Sequence, residues 1–295
     1  MKYTKHALSF EEQAELLLSR GLIADRTDLI SKLKSVNYYR LSGYLYPFKQ
    51  PNSENYKDGT KFTEVWNRYR FDRKLRFLVL DGIERIEVAL KTDIVFEFSR
   101  INGPFGHLNK KNLPLMKQEK FDVLIKSIEH ETERSKDLFV KHFFQKYGDE
   151  HTHLPLWMAV EVMSFGSVLS FFRGVPTPIK QKISSRYNVH DKVLESWLTS
   201  LNAVRNICAH HSRLWNRELG YKPVIPAKNT TWKTPFSIQN NRVFAILSVM
   251  KYLIDIIIPA SKWDERFKDL LKFFPEIPLK DMGFPQNWDK HEVWK

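Results

Sequence analysis

The sequence has a single cysteine, Cys208, in 295 residues, so it cannot form an internal disulfide. This usage is typical of intracellular proteins, and we therefore expect a reducing, cytoplasmic location. The first residues lack the long apolar run of a signal peptide. The most apolar stretch, residues 243–260, is interrupted by Lys251 and Asp255. Because charges are costly at the centre of a bilayer, this stretch is predicted to be a buried helix and not a membrane span.

Several motifs of catalysis and cofactor binding are also missing. The sequence has no Walker glycine loop, no Gly-x-Gly-x-x-Gly fingerprint and no Gly-x-Ser-x-Gly elbow. Nucleotide hydrolysis, dinucleotide binding and hydrolase chemistry of that type therefore have no support. The His-Thr-His stretch at residues 151–153 could suggest a metal, but no Cys-x-x-Cys pair or His-Glu-x-x-His accompanies it. We expect neither a metal site nor a cofactor.

Acidic residues are few relative to basic ones. The chain has 34 Asp and Glu against 47 Lys and Arg, with a net charge of +13 and a pI near 9.6. This surplus favours a polyanionic partner, either nucleic acid or an anionic membrane surface. The alternative is a soluble protein that happens to be basic.

The pattern of apolar residues predicts an all-α fold. Alternation with a period of two is scarce, whereas helical spacing occurs throughout the chain. Ser9 and Glu12 form a capping box that predicts the start of one helix, and Gly21 predicts its end. The longest predicted helix covers residues 62–100. Further helices are predicted at residues 25–36, 118–146, 155–173, 176–187, 190–217 and 238–259.

The predicted helix at residues 190–217 carries polar and reactive side chains close together. On a helix with about 100° per residue, these side chains separate into a buried stripe and a polar stripe. The buried stripe comprises Leu194, Trp197, Leu201, Val204, Cys208 and Trp215. The polar stripe comprises Asn202, Asn206, His210, Arg213 and Arg217.

Two neighbouring histidines take different places on this helix. His210 lies in the polar stripe beside Asn206 and Arg213, and is the candidate for chemistry. His211 lies on the flank of the buried stripe, so we expect it to pack or to act as a supporting hydrogen-bonding residue. Cys208 lies in the middle of the buried stripe, where a thiol stays protonated and inert.

Arg205 projects about 140° away from His210 on a straight helix. The two side chains therefore cannot easily hold one small ligand. A distorted helix, or a second copy of the stretch facing the first, would bring them together. We accordingly expect a composite site across a twofold homodimer.

An arginine, an asparagine and a histidine suit cleavage of RNA without a metal. Histidine can transfer protons near neutral pH, and arginine can stabilise the extra charge on a phosphate in the transition state. A ribose 2′-hydroxyl would attack the neighbouring phosphorus and leave a 2′,3′-cyclic phosphate, whereas DNA would be spared. The competing interpretation is a solvated helix face, because an Arg-x4-His spacing is common by chance.

The stretch Arg205–His210 resembles the Arg-Asn-x-x-x-His motif of HEPN ribonucleases, a superfamily of toxins, abortive-infection proteins and nuclease domains of RNA-targeting CRISPR effectors. Four further stretches look like the Abi family of phage-resistance proteins, in the AbiD/AbiF group. These stretches are residues 37–48, 71–92, 155–172 and 282–288. The matches occur in order, so the resemblance covers nearly the whole chain.

The resemblance implies an all-helical HEPN-like bundle, commonly dimeric, in which Arg205 and His210 are catalytic and Asn206 supports them. It also implies a role in abortive infection, in which RNA damage halts an infected cell. Some relatives work with a small noncoding RNA. We predict an N-terminal helical region at residues 1–58, the HEPN-like bundle at 59–260 and a C-terminal tail at 261–295 packed on the bundle.

Two regions are candidates for RNA binding. Tyr38 and Tyr39 could stack on bases and Arg40 could contact a phosphate, although these residues could equally join the N-terminal helices to the bundle. A basic run could line an RNA channel or form a solvated face. The run includes Arg70, Arg73, Lys74 and Arg76.

Three functions are compatible with the sequence. The first is a metal-independent endoribonuclease of phage defence, with His210 as general base or acid, Arg205 as phosphate anchor, Asn206 as positioning group and Arg213 in support. The second is a non-catalytic protein that holds a small noncoding RNA. The third is the regulatory partner of a toxin–antitoxin pair. We expect RNA as the partner and no membrane.

Overall fold

The computed structural model describes Lys2, residues 6–226 and residues 228–295. Within these residues the chain forms twelve α-helices, joined by loops and short 3-10 helices, and no strand. The prediction of an all-α fold is therefore confirmed. The helices are α1 (Phe10–Ser19), α2 (Arg26–Ser35), α3 (Tyr38–Leu45), α4 (Phe62–Asn102), α5 (Gln118–Arg134), α6 (Leu138–Tyr147), α7 (Leu156–Val162), α8 (Phe165–Gly174), α9 (Thr177–Arg186), α10 (Asp191–Ala209), α11 (Val243–Ile257) and α12 (Trp263–Phe273).

The chain divides into two compact units. The first comprises Met1–Phe77 and Arg266–Pro278, and the second comprises Leu78–Glu265 and Leu279–Lys295. Two of the three boundaries between the units fall inside helices, α4 and α12, and the third lies between Pro278 and Leu279. The three-part division of the chain at residues 58 and 260 stays a prediction.

The first helix and the longest helix lie close to where the sequence predicted them. The Ser9 hydroxyl accepts the Glu12 N–H at 3.1 Å, and the Glu12 carboxylate accepts the Ser9 N–H at 2.7 Å. This reciprocal capping box starts α1 as predicted. Helix α4 ends two residues beyond its predicted end at residue 100.

Two predicted helices are each divided in the structure. The stretch 118–146 forms α5 and α6, and the stretch 155–173 forms α7 and α8. At the second break the Ser164 hydroxyl accepts the Ser167 N–H at 3.2 Å, which caps a new helix. Apolar periodicity continues across this break, so periodicity alone did not reveal it.

Helix α11 lies in the core of the second unit, and most of its residues are buried. Lys251 and Asp255, the two charges that interrupt this apolar stretch, pair with each other at 2.6 Å. The prediction of a buried helix is confirmed. In the described part of the chain, no helix is both long enough and apolar enough to cross a membrane.

Helix α10 packs against α8, α9 and α11 within the second unit. Its Trp197 indole donates to the Val224 carbonyl at 2.7 Å. The same ring lies 5.1 Å from Trp232 and 5.6 Å from Tyr252, measured between ring centroids. This aromatic cluster anchors the buried face of α10, so the opposite face is left to its polar residues.

Candidate active site at the end of helix α10

Helix α10 ends at Ala209, eight residues before its predicted end at residue 217. The His211 N–H donates to the Cys208 carbonyl at 3.0 Å, and the Ser212 N–H donates to the Ile207 carbonyl at 2.9 Å. His211 has a left-handed φ of 57°. These hydrogen bonds and this φ define a Schellman motif, which terminates the helix. The prediction of a helix over residues 190–217 is therefore wrong beyond Ala209.

The buried face of α10 follows the predicted stripe. Leu194, Trp197, Leu201, Val204 and Cys208 are each at most 1% exposed. Trp215, which the same stripe included, is also fully buried. It reaches the core from the loop after α10, so its burial does not follow from helical periodicity.

The motif residues occupy the exposed end of α10. His210 is the C-terminal capping residue, and its N–H donates to the Asn206 carbonyl at 3.0 Å. The side chains of Asn206 and His210 are exposed, and Arg205 is partly exposed. One Arg205 guanidinium nitrogen lies 3.4 Å from the Asn206 side-chain oxygen, a long hydrogen bond. The guanidinium therefore turns toward Asn206, which shares its helix face with His210.

Arg205 supplies a positive charge near the end of α10. Within the described residues, Arg205 forms no ion pair. A cation near the last carbonyls of a helix is favoured by the helix dipole. A cation without an acidic partner, beside an exposed histidine, can bind an anionic group and leave the imidazole to transfer protons.

His211 does not lie on the flank of the buried stripe as predicted. Its left-handed backbone turns the chain away from the helix, and the residue is exposed. Arg213 is also no longer on one helical stripe with His210. Arg213 is partly buried, and its carbonyl accepts the Nε–H of Arg217 at 2.8 Å. The supporting roles of both residues stay predictions.

The residues predicted to bind RNA all belong to the first unit, whereas the motif belongs to the second. Tyr39 is 85% exposed, and Arg40 is also exposed. Tyr38 is partly buried, and its hydroxyl accepts a hydrogen bond from Arg20 at 3.3 Å. Tyr39 is therefore the tyrosine of this pair with a ring that can stack on a base.

Arg76 differs from the other residues of the predicted RNA-binding run because it is buried. It is 5% exposed, and its guanidinium pairs with the fully buried carboxylate of Asp72. The Tyr44 hydroxyl donates to the same carboxylate at 2.6 Å. Burial, reinforced by Asp72, raises the pKa of the Tyr44 hydroxyl, which stays protonated and can donate. Arg76 is therefore buried within the first unit, and its guanidinium is not exposed for contact with RNA.

The other cations of this run lie beside exposed aromatic rings. The Arg73 guanidinium lies 5.4 Å from the Phe77 ring centroid, and Lys74 lies 5.7 Å from that of Phe273. Arg70 lies 5.9 Å from the Phe273 centroid. Phe77 is 59% and Phe273 is 62% exposed. Neither ring was predicted from the sequence, although the position of Phe77 directly after the basic run was a signal for it.

The His-Thr-His stretch is engaged in other contacts. His153 binds Glu129 at 2.9 Å through one ring nitrogen and the Thr152 hydroxyl at 2.8 Å through the other. The His151 ring stacks on Phe105. Among the described residues, no three side chains of the metal-binding types converge on one point.

The fold and this site define an all-helical protein that presents an arginine, an asparagine and a histidine at the end of a buried helix. The family model for Abi-like proteins matches residues 31–216, which is more than half of the chain. The chain therefore belongs to the Abi-like family, and this membership indicates a role in abortive infection, a defence against phage. Neither the curated proteins nor the solved structures gave a match to the chain.

Proposed function

We propose that this chain is a metal-independent endoribonuclease of the HEPN type that acts in abortive infection. The observation that carries the proposal is the grouping of Arg205, Asn206 and His210 on the exposed last turn of α10. The family match supports a role in abortive infection, and the matched range includes all three residues.

The proposed reaction uses the substrate's own hydroxyl as nucleophile. His210, in its neutral form, accepts the proton of a ribose 2′-hydroxyl, and the 2′-oxygen attacks the adjacent phosphorus. Arg205 binds the phosphate oxygens, which gain charge in the transition state. The bond to the 5′-oxygen breaks, and that oxygen takes up a proton from water, while His210 releases the proton that it accepted to solvent. Asn206 orients the Arg205 guanidinium through the 3.4 Å hydrogen bond to its side-chain oxygen.

A test of this reaction compares purified wild-type protein with the His210→Ala variant on labelled RNA in EDTA. We expect the wild type to cleave the RNA and the variant to lose at least about a hundredfold in rate, because removal of a general base has effects of this size. His142→Ala is a matched control, since His142 is an exposed histidine on α6 of the same unit. Equal cleavage by wild type and His210→Ala would refute the role of His210.

We further propose that the active form is a homodimer with composite sites. Arg205 and His210 project from different sides of α10, so facing copies of the motif would supply the two groups to one phosphate. A mixed dimer of Arg205→Ala and His210→Ala subunits, co-purified through two tags, would then keep one intact site. We expect it to recover about half of the wild-type rate per dimer. An inactive mixed dimer, or an active wild-type monomer, would contradict this arrangement.

A second candidate is a non-catalytic protein that holds RNA. The observation that favours it is the set of cations beside exposed Phe77 and Phe273, since both ring stacking and phosphate contacts bind RNA without sequence selectivity. In that case His210→Ala leaves RNA binding and cellular toxicity unchanged. Charge reversal at Arg73 would instead weaken binding and reduce its salt dependence.

A further inference from the structure

A groove of about 790 Å³ lies within the second unit, bounded by the start of α5, one face of α8 and the first half of α10. It is lined by four cations and one carboxylate. These are Lys117, Lys120, Arg173, Lys180 and Glu195. A volume of this size lies within the range of ligand-binding pockets.

The cations of the groove differ in how far they are already neutralised. Lys180 is buried and pairs with Glu195 at 3.2 Å. Arg173 binds the same carboxylate at 3.2 Å and the Thr199 hydroxyl at 2.7 Å. The negative charge of Glu195 is therefore paired with two cations, and the groove keeps a net positive charge.

Lys117 and Lys120 supply the solvent-accessible part of this positive charge. Both are exposed at the mouth of the groove, and neither forms an ion pair with any residue that the structure describes. Lys117 is the capping residue before α5 and Lys120 lies in its first turn, and both side chains line the groove. Two adjacent unpaired ammonium groups suit two phosphates of one strand.

Serine hydroxyls line the wall between these cations. The hydroxyl oxygens of Ser164 and Ser167 are 2.9 Å apart, and those of Ser167 and Ser127 are 3.2 Å apart. Ser170 completes the row on α8. Hydroxyls can both donate and accept hydrogen bonds, which matches the alternation of phosphate oxygens and 2′-hydroxyls along RNA.

The polar side of α10 leads from the groove toward the motif. A Cβ atom placed on Gly166, which lines the groove, would lie 3.9 Å from the side-chain nitrogen of Asn202. Asn206 is one turn beyond Asn202 on the same side, and His210 is one turn beyond Asn206. The distance along the helix axis from Asn202 to His210 is about 12 Å.

We propose that single-stranded RNA occupies this groove and runs along α10 to the motif, with its phosphates against Lys117, Lys120 and Arg173. The identity of the ligand as RNA rests on the proposed function. The new part is the set of residues that hold the strand away from the cleaved bond. Ser164 and Ser170, which are accessible to solvent, contact the sugar-phosphate backbone, whereas the buried Ser167 hydroxyl donates to Glu131. Binding in the groove is therefore independent of base sequence.

The test is RNA binding by a Lys117→Glu/Lys120→Glu variant, measured by fluorescence anisotropy with labelled oligouridine over a range of salt concentrations. The His210→Ala background keeps the RNA intact during the measurement. We expect binding to weaken about tenfold or more. The slope of log affinity against log salt should fall by about 1.4, or roughly 0.7 for each phosphate of a single strand that a lysine no longer neutralises. Thermal unfolding should not change, because both lysines are exposed.

The matched control is Lys111→Glu/Lys126→Glu, which makes the same change in net charge at two exposed lysines of the second unit outside the groove. If the groove and control variants bind equally, or if the parent protein binds no oligouridine, the proposal is overturned. Binding of adenosine monophosphate in place of oligouridine, with the same dependence on Lys117 and Lys120, would overturn the assignment to RNA. Cleavage is measured separately with the wild-type protein. If the groove binds RNA but the wild type does not cleave it, only the proposed nuclease activity is refuted.

Discussion

At the scale of single residues, burial separates two arginines that look alike in the sequence. Arg73 and Arg76 stand three residues apart in one basic run, and both were predicted to bind RNA. Arg73 is exposed beside Phe77, whereas Arg76 is buried against Asp72. The spacing of four between Asp72 and Arg76 is visible in the sequence. Their burial depends on contacts with Tyr44, which is distant in the chain, and could not be predicted.

The two arginines should therefore differ in their effect on stability. Arg76→Met leaves the buried Asp72 carboxylate without its cation, and we expect the free energy of unfolding to fall by roughly 3–5 kcal/mol. Arg73→Met should change it by less than about 0.5 kcal/mol, as is usual for exposed positions. Urea unfolding followed by tryptophan fluorescence measures both values. Equal effects would mean that Asp72 and Arg76 are not a buried pair in solution.

At the scale of secondary-structure elements, three helices end in the same way with three different residues. Gly21, Asn188 and His211 each take a left-handed φ immediately after the capping residue. The end at Gly21 was predicted, because glycine has this conformation at little cost. The end at His211 was not predicted, because histidine rarely adopts it and the polar and apolar periodicity continues to residue 217.

Substitutions at His211 distinguish the observed helix end from the predicted continuous helix. Both His211→Gly and His211→Ala remove the imidazole, so their difference reports on the backbone. At a left-handed position the glycine variant should be more stable by about 1 kcal/mol, since a Cβ is penalised there. In a continuous helix the alanine variant would instead be more stable by about 1 kcal/mol.

The comparison is made by thermal or urea unfolding of the two purified variants. Gly21→Ala is the internal reference, because Gly21 has a φ of 89° in the same hydrogen-bonding pattern. It should be less stable than the wild type by a similar amount. A more stable His211→Ala would show that α10 continues, and the exposed position of His210 as a capping residue would then have to be revised.

At the scale of the whole molecule, composition and periodicity predicted the class of fold, whereas the site needed the structure. The absence of strand patterns was sufficient for the all-α prediction, and the buried face of α10 followed from residue spacing. The groove beside α10 could not be found in this way. Its lining residues, such as Lys120, Arg173 and Glu195, come from four helices, α5, α8, α9 and α10, that are brought together only by packing.

The net charge of +13 predicted a polyanionic partner but not where it binds. The structure offers two cationic surfaces, one in each unit. The cations beside Phe77 and Phe273 belong to the first unit, and the groove of Lys117 and Lys120 belongs to the second. The groove adjoins the helix that carries Arg205 and His210, so RNA bound there is the better candidate for the substrate.

The central claim is that His210 promotes attack by the ribose 2′-hydroxyl without a metal. The most direct measurement is mass spectrometry of the new ends formed when purified protein cuts a defined RNA oligonucleotide in EDTA. We expect 2′,3′-cyclic phosphate and 5′-hydroxyl ends with the wild type, no product with His210→Ala, and no cut at a position that carries a single 2′-deoxyribose. Cleavage that persists at the deoxyribose position, or new ends with a 5′-phosphate, would contradict this claim.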